Sequence, residues 1–403
     1  MIKPKTKAFW KTTLALIIGS IVVFGNVYVT QPILPVLTEE FQISSLMASM
    51  SVSLVIFSLG LSLIVYGPLS DSFGRRGIMY VSMFLASVLT ILMAYVTKYE
   101  WLLVLRMLQG VCLAGIPSIA MAYIGEEYEK KAIPLAIGLY IGGNTIGGMG
   151  GRVISGFLTD QYNWRVTLLV LGCISFLCFI LFVLLLKPSE HFVAKKLDWK
   201  LALRDYKSHL HNKTLLFAFL IGGLHFLIFV GQFNYLTYFL SDEPYSLSTT
   251  LIGLLFLTYL AGTISSSLAG KMADRLPLTT CILLGILIMF VGLLFTLFHH
   301  ILLIIAGVLL FCFGFFLAHS ISASWVSKYA SFAKASASGL YLIIYYIGGS
   351  IGPFYLDPFW SNISWPGVVI GCSCILVATG FLSFKLKLIE TPVVYLQEKK
   401  STS

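Results

Sequence analysis

The sequence predicts an all-α membrane protein, with twelve transmembrane helices in two six-helix halves related by a pseudo-two-fold axis along the membrane normal. Three observations carry that prediction. Hydrophobic residues make up 58% of the chain and charged residues only 11%, against roughly 25% charge in soluble domains. The apolar residues fall into runs of about 20, the length that crosses a hydrocarbon core as helix, without the alternation of a membrane barrel. Third, the basic residues are collected between runs, on one side.

The first run, 12–37, follows MIKPKTKAFWK and has no small-residue cleavage site, so it is read as a retained span. Runs 46–67 and 77–96 flank the polar stretch GPLSDSFGRRG. Run 100–125 carries Arg106 roughly two turns from its start. Run 133–158 is glycine-rich, and 165–187 completes a first half. The longest polar stretch, 188–212, places Trp199, Leu203, Tyr206 and Leu210 at helical spacing among Lys and Arg, as an amphipathic helix on a membrane surface does. Runs 213–240, 249–270, 277–297, 301–325, 335–357 and 366–387 form the second half. The expected domains are therefore 1–187, a cytoplasmic linker over 188–212, and 213–403 with a short cytoplasmic tail.

Threading these runs from a cytoplasmic N-terminus puts 23 of the 27 Lys and Arg residues in inner segments; Lys98 and Arg165 fall outside and Arg106 and Arg152 lie within spans. This positive-inside bias places both termini in the cytoplasm. It also accounts for the net charge of +10 without nucleic acid as a partner. All seven Cys lie in spans, where they read as small packing residues. Cys372 and Cys374, two apart on a helix, point to different sides and make a poor chelate, so no metal is expected. No cofactor or nucleotide-binding pattern stands out, and no catalytic pattern does either. The chain reads as no enzyme.

The halves repeat. At an offset of 206, FGNVYVTQ (24–31) lies over VGQFNYLT (230–237). At 203, Gly67 and Asp71 fall on Gly270 and Asp274. At 205, Gly143, Ile146 and Gly147 fall on Gly348, Ile351 and Gly352. Duplicated six-helix halves imply a cavity between them.

Here a family resemblance can be stated. Gly67, Leu69, Asp71, Gly74, Arg75 and Arg76 form a G-x-L-x-D-x-x-G-R-R stretch that resembles the signature of the major facilitator superfamily between helices 2 and 3. GKMADR, with Asp274 and Arg275, resembles its degenerate second copy. Leu105, Arg106, Gln109 and Gly110 resemble the family's R-x-x-Q-G in helix 4. Gly138, Gly147, Gly151 and Gly156 match the antiporter motif of helix 5, with Arg152 where the family has Pro and Ser155 where it has Gly. The GGNTIGGMGGR block plus NWR looks most like bacterial inner-membrane transporters of the YnfM and arabinose-efflux-like type. The resemblance implies a gating clasp at Asp71 and the paired Arg, and a cavity lined by helices 1, 4, 7 and 10. Ser72 stands where the family often has Arg, so Arg275 is expected to carry that contact.

The residues themselves support several readings. Asp71 either accepts hydrogen bonds at a helix N-terminus in one state of a gate or is a solvated turn residue. Arg106, one face with Gln109, is a cavity cation that holds substrate or shifts a proton site, or snorkels to the outer interface. Arg152 either locks helix 5 or acts in function. Gly143, Gly147 and Gly151 make a small-residue face, expected to seal helix 5 against the other half. Asn26, Tyr28 and Gln31, with Gln232, Asn234 and Tyr235 and with His319, offer amides and rings to a polar or amphipathic small molecule; Tyr235 also fits an interfacial belt. No Asp or Glu lies mid-span, so His225 and His319, with Arg106, are the candidates for proton coupling. Glu126 and Glu127 read as solvated helix ends. The expected activity is proton-coupled efflux by a monomer in a bacterial inner membrane; the alternatives are proton-coupled uptake of a sugar, metabolite or siderophore, and, remotely, a sensor or a membrane enzyme.

Overall fold

The computed structural model describes residues 1–194 and 199–401. Fifteen α-helices follow in order: α1 (Lys7–Val27), α2 (Leu34–Phe41), α3 (Ser45–Phe73), α4 (Arg75–Met93), α5 (Tyr99–Leu113), α6 (Gly115–Glu127), α7 (Ile133–Gln161), α8 (Trp164–Leu185), α9 (Trp199–His211), α10 (Lys213–Ser241), α11 (Thr249–Leu255), α12 (Tyr259–Ala273), α13 (Leu278–Phe295), α14 (Ile301–Tyr329) and α15 (Lys334–Ser401). Side-chain caps start several of them: Thr6 accepts from Phe9 N, Ser44 from Met47 N and Asn163 from Val166 N.

Several spans are broken helices. The first runs from α1 through a short 3-10 turn into α2; the fourth is α5 and α6, divided at Ala114; the eighth is α11 and α12. Among the described residues, ten segments are long and apolar enough to cross a bilayer. One of them contains two spans, because α15 breaks at Ser364 (φ 55°). The glycine-rich α7, at 29 residues, is a further spanning helix of lower hydropathy. The twelve-helix expectation is met in this way. The linker's surface helix is α9, with Leu203 and Leu210 exposed; residues 195–198 of the linker lie outside the described residues.

Contacts group the chain into two compact units. The first is Met1–Trp199 with Leu236–Phe256, and the second is Lys200–Tyr235 with Leu257–Ser403. The C-terminal end of α10 and all of α11 thus group with the first unit rather than with the half that sequence assigns them to.

Glycines set the closest contacts in each unit. In the first, a Cβ added at Gly147 would lie 2.5 Å from the Ile21 carbonyl, and one at Gly151 would lie 2.6 Å from Gly25. In the second, a Cβ at Gly352 would lie 2.2 Å from the Leu227 carbonyl, and one at Gly231 2.8 Å from that of Gly352. The same backbone-to-backbone packing recurs about 205 residues on, so the repeat is one of structure as well as sequence. This corrects one expectation: Gly143, Gly147 and Gly151 seal α7 against α1 of its own half. Gly156 alone of this row reaches the later sequence, meeting Thr249 and Gly253 of α11. Gly138 faces open space.

Candidate functional site

The polar stretch after the second span is helical for longer than a turn would be. Helix α3 continues through Pro68 to Phe73, and only Gly74, at φ 97°, needs the freedom of glycine. No atom lies near a Cβ built at Gly67, so no close approach explains that residue. Across the break at Gly74, Arg75 at the start of α4 pairs with Asp71 near the end of α3 at 2.5 Å. Arg75 is buried and reaches further: its Nε and one terminal nitrogen donate to both Glu126 oxygens at 3.1 and 2.6 Å, and the other to Ser70 Oγ at 2.6 Å. This fork is the strong bidentate form of a guanidinium–carboxylate pair. Arg76 bonds and stacks on Tyr80. Leu69 is half-buried.

Glu126 is therefore a partner of the clasp, not a solvated end. Glu127 is buried outright and accepts from the His191 backbone N at 2.9 Å, with the imidazole Nδ1 3.1 Å away. Beside it Ile2 bridges to Tyr128, its N donating to the Glu127 carbonyl at 2.7 Å. Burial pushes the Tyr128 phenol up to about 12. In the second copy, Asp274 and Arg275 are exposed and make no ion pair among the described residues. Arg275 does not stand in for the charge that Ser72 lacks. The second unit's buried carboxylate is one that sequence reasoning passed over. Glu390 accepts from Leu278 N, Thr279 N and Thr279 Oγ at the first turn of α13, where the helix dipole favours an anion. It lies just past the last predicted span, and no spacing rule tied it to α13.

Deeper in the first unit, Arg106 is fully buried. It donates to the carbonyls of Asn26 and Val27, where α1 ends, to the Ser51 carbonyl at 2.7 Å and to Gln109 Oε1 at 2.6 Å. It thus answers backbone carbonyls that a helix end leaves open, on the side of the dipole that favours a cation. Gln109 donates to Thr90 Oγ at 2.7 Å, Thr90 to Asn26 Oδ1 at 2.8 Å, and Asn26 to Ser175 Oγ at 2.9 Å. The expectation that Asn26, Arg106 and Gln109 face a cavity is corrected for this conformation: they form one closed interior network.

Arg152 is also buried, and packs on two rings. Its guanidinium carbon is 3.9 Å from the Tyr28 ring centroid and 4.5 Å from that of Phe256. Nε donates to Gln31 Oε1 at 2.8 Å and a terminal nitrogen to the Gly148 carbonyl at 2.7 Å. Tyr28, Gln31 and Arg152 are thus brought together. Nearby, Ser155 donates to the Val29 carbonyl at 2.6 Å, Thr249 Oγ to the Gly156 carbonyl at 3.0 Å and Thr250 to Asp160 at 2.6 Å.

In the second unit, Tyr235 donates to the Pro353 carbonyl and Asp357 at 3.0 Å each and stacks on Trp360. Its buried hydroxyl is a core partner and not a belt residue at an interface. His225 is buried, with Nε2 3.0 Å from Thr379 Oγ. His319 is half-buried beside Tyr341 OH at 2.9 Å and 4.5 Å from the Tyr345 ring. Stacked rings continue inward, Phe226 on Tyr345 at 3.9 Å and Phe229 on Phe315 at 3.8 Å. Gln232 is buried with neither amide atom hydrogen-bonded among the described residues, and Asn234 is buried near it in sequence.

The sequence model of the Major Facilitator Superfamily matches residues 16–353. The chain belongs to that superfamily. As a member of the Major Facilitator Superfamily it is a multi-pass membrane transporter and not an enzyme. It is 40% identical to the uncharacterized MFS-type transporter YybF of Bacillus subtilis, over 95% of each chain. It is 40% identical to the inner membrane transport protein YnfM of Escherichia coli, over 91% of this chain and 88% of that one. A more distant relative is the chloramphenicol resistance protein CraA of Acinetobacter baumannii, 24% identical over 83% of this chain and 82% of the relative. Among solved structures, a bacterial homolog of the human lysosomal transporter Spinster, inward-facing and unoccupied, superposes with a TM-score of 0.73 at 15% identity, over 95% of this chain and 96% of that one. This superfamily member shares its fold.

Proposed function

We propose that the chain exports a small polar or amphipathic organic molecule from the cytoplasm by alternating access, driven by inward proton flow, as a monomer in a bacterial inner membrane with both termini cytoplasmic. The observation that carries this reading is the seal of α7 against α11. Gly156 and Gly253 bring the two backbones into contact, and Thr249 and Thr250 bond across to Gly156 and Asp160. Such a contact is small, polar in part and reversible, as one side of an alternating gate requires. The Asp71–Arg75–Glu126 clasp is the corresponding inner element, and the working halves are 1–187 and 213–403 joined by 188–212. His319, half-buried and hydrogen-bonded to a phenol, is the proton-carrying candidate, with His225 behind it. The antiporter-like row on α7 and the name of the Acinetobacter relative favour export. Arg152 in place of the motif's Pro is the observation that keeps uptake as a second reading.

Everted membrane vesicles test the proposal, with chloramphenicol as first probe within a panel of small organic compounds. Uphill accumulation in the lumen that collapses on adding a protonophore is expected. Accumulation that ignores the protonophore refutes the coupling; movement only out of the everted lumen refutes export.

A further inference from the structure

Helix α9 lies between two spanning helices. α8 ends at Leu185 and α10 begins at Lys213, so the 13 residues from Trp199 to His211 run at the membrane end that the two share. Tyr206 and His209, three residues apart and so on one face, turn to the second unit. The His209 imidazole is fully buried and stacks on the Phe332 ring at 4.5 Å and 15°, just before α15 starts. Neither of its nitrogens has a hydrogen-bond partner among the described residues, so ring contact rather than a polar bond seats it. Tyr206 is half-buried, its hydroxyl 3.7 Å from a Cβ built at Gly339 of α15. Together these contacts set the roll of α9 about its own axis.

That roll leaves an apolar strip uncovered. Leu203 and Leu210, two turns apart, are 58% and 43% exposed. Beside them Arg204, Lys207 and His211, at i, i+3 and i+7, make an exposed basic stripe. Asp205 and Ser208 fall on the remaining side, so no carboxylate interrupts the stripe. An apolar strip flanked by cations is the face that a helix lying in a membrane interface presents. The stretch 187–213 as a whole carries seven Lys or Arg against Glu190, Asp198 and Asp205.

We propose that α9 is a docking surface for anionic phospholipid. Leu203 and Leu210 enter the acyl boundary, while Arg204 and Lys207, with His211 at the end of the stripe, take the headgroup phosphates. The Arg204 guanidinium offers a phosphate its planar fork, and Lys207 adds a point charge. A zwitterionic headgroup brings a cation of its own, so the stripe favours the anionic one. This surface serves whatever the transporter carries: lipid holds α9 from one side and Phe332 from the other.

The test places the full-length protein, on a background without native cysteines, in phosphatidylcholine nanodiscs with bimane attached at Leu210→Cys. An equal small fraction of chain-nitroxide phosphatidylglycerol or phosphatidylcholine is then added as quencher. Phosphatidylglycerol is expected to quench about tenfold more strongly per molecule, since each basic residue near an anionic surface contributes several-fold. Arg204→Gln with Lys207→Gln is expected to bring the two lipids to parity. Lys130→Gln with Lys131→Gln removes the same charge from the exposed turn before α7 and is expected to leave the preference unchanged. Parity with α9 intact, or equal losses in the two double variants, overturns the proposal. So does a label that neither lipid quenches, the result that cover by a second copy or by another part of the chain would give.

Discussion

Asn26 in α1 and Gln232 in α10 occupy corresponding places in the repeat, and they are treated in opposite ways. Asn26 sits inside a network with Thr90, Ser175 and Gln109, and Arg106 bonds its carbonyl. Gln232 is equally buried, yet neither its amide oxygen nor its nitrogen has a hydrogen-bond partner among the described residues. A buried amide without partners costs stability, so the first unit has used its polar residues to brace a broken helix and the second has left one amide unanswered. The backbone packing around both is the same, with α1 on α7 and α10 on α15 meeting at glycines. Duplication kept the frame and let the polar interior diverge.

The largest expected effect breaks the braced side. Arg106→Ala strips donors from three carbonyls and from Gln109, and should cost on the order of 3–5 kcal/mol; a melting temperature in detergent equal to wild type would remove Arg106 from that role. The shared frame comes next. Gly151→Ala and Gly352→Ala each drive a methyl into backbone and should each lose about 1–3 kcal/mol, whereas Gly138→Ala, facing open space, should stay within about 0.5 kcal/mol. A tolerant Gly352 would show that only the first unit needs the close contact. The corners at Arg75 and Arg275 differ by less. Arg75→Gln should lower stability by about 1–2 kcal/mol and slow transport, while Arg275→Gln, exposed and without an ion pair, should leave both unchanged; equal effects would make the corners equivalent after all. The smallest change is a gain. Gln232→Leu should stabilise by roughly 0.5–1 kcal/mol by removing the unanswered amide, and a loss of stability would mean that Gln232 is satisfied after all.

Much of this was readable along the chain. Apolar runs, basic loops and the Gly67–Arg76 stretch located the spans and the clasp, because those signals are local. Partners were not local. Glu126 looked like a solvated helix end because its partner, Arg75, lies some fifty residues earlier in sequence. The glycine row of α7 was readable as a close-packing face, but period alone does not name the helix that meets it, and that helix is α1. Arg106 was legible as an intramembrane cation, but not as the answer to open carbonyls, since nothing in the sequence announces that α1 stops at Val27. Arg152 was visible as a departure from a motif, whereas its two rings come from breaks in distant helices.

The bridge between Ile2 and the Glu127–Glu129 backbone bears on how the protein is made. Ile2 precedes its partner by about 125 residues, roughly ten seconds of synthesis at ordinary elongation rates. Throughout that interval Ile2 lacks its backbone partner while four spans are made. Anything that captures the segment around Ile2 during the wait removes a partner that the loop after α6 receives in the folded chain.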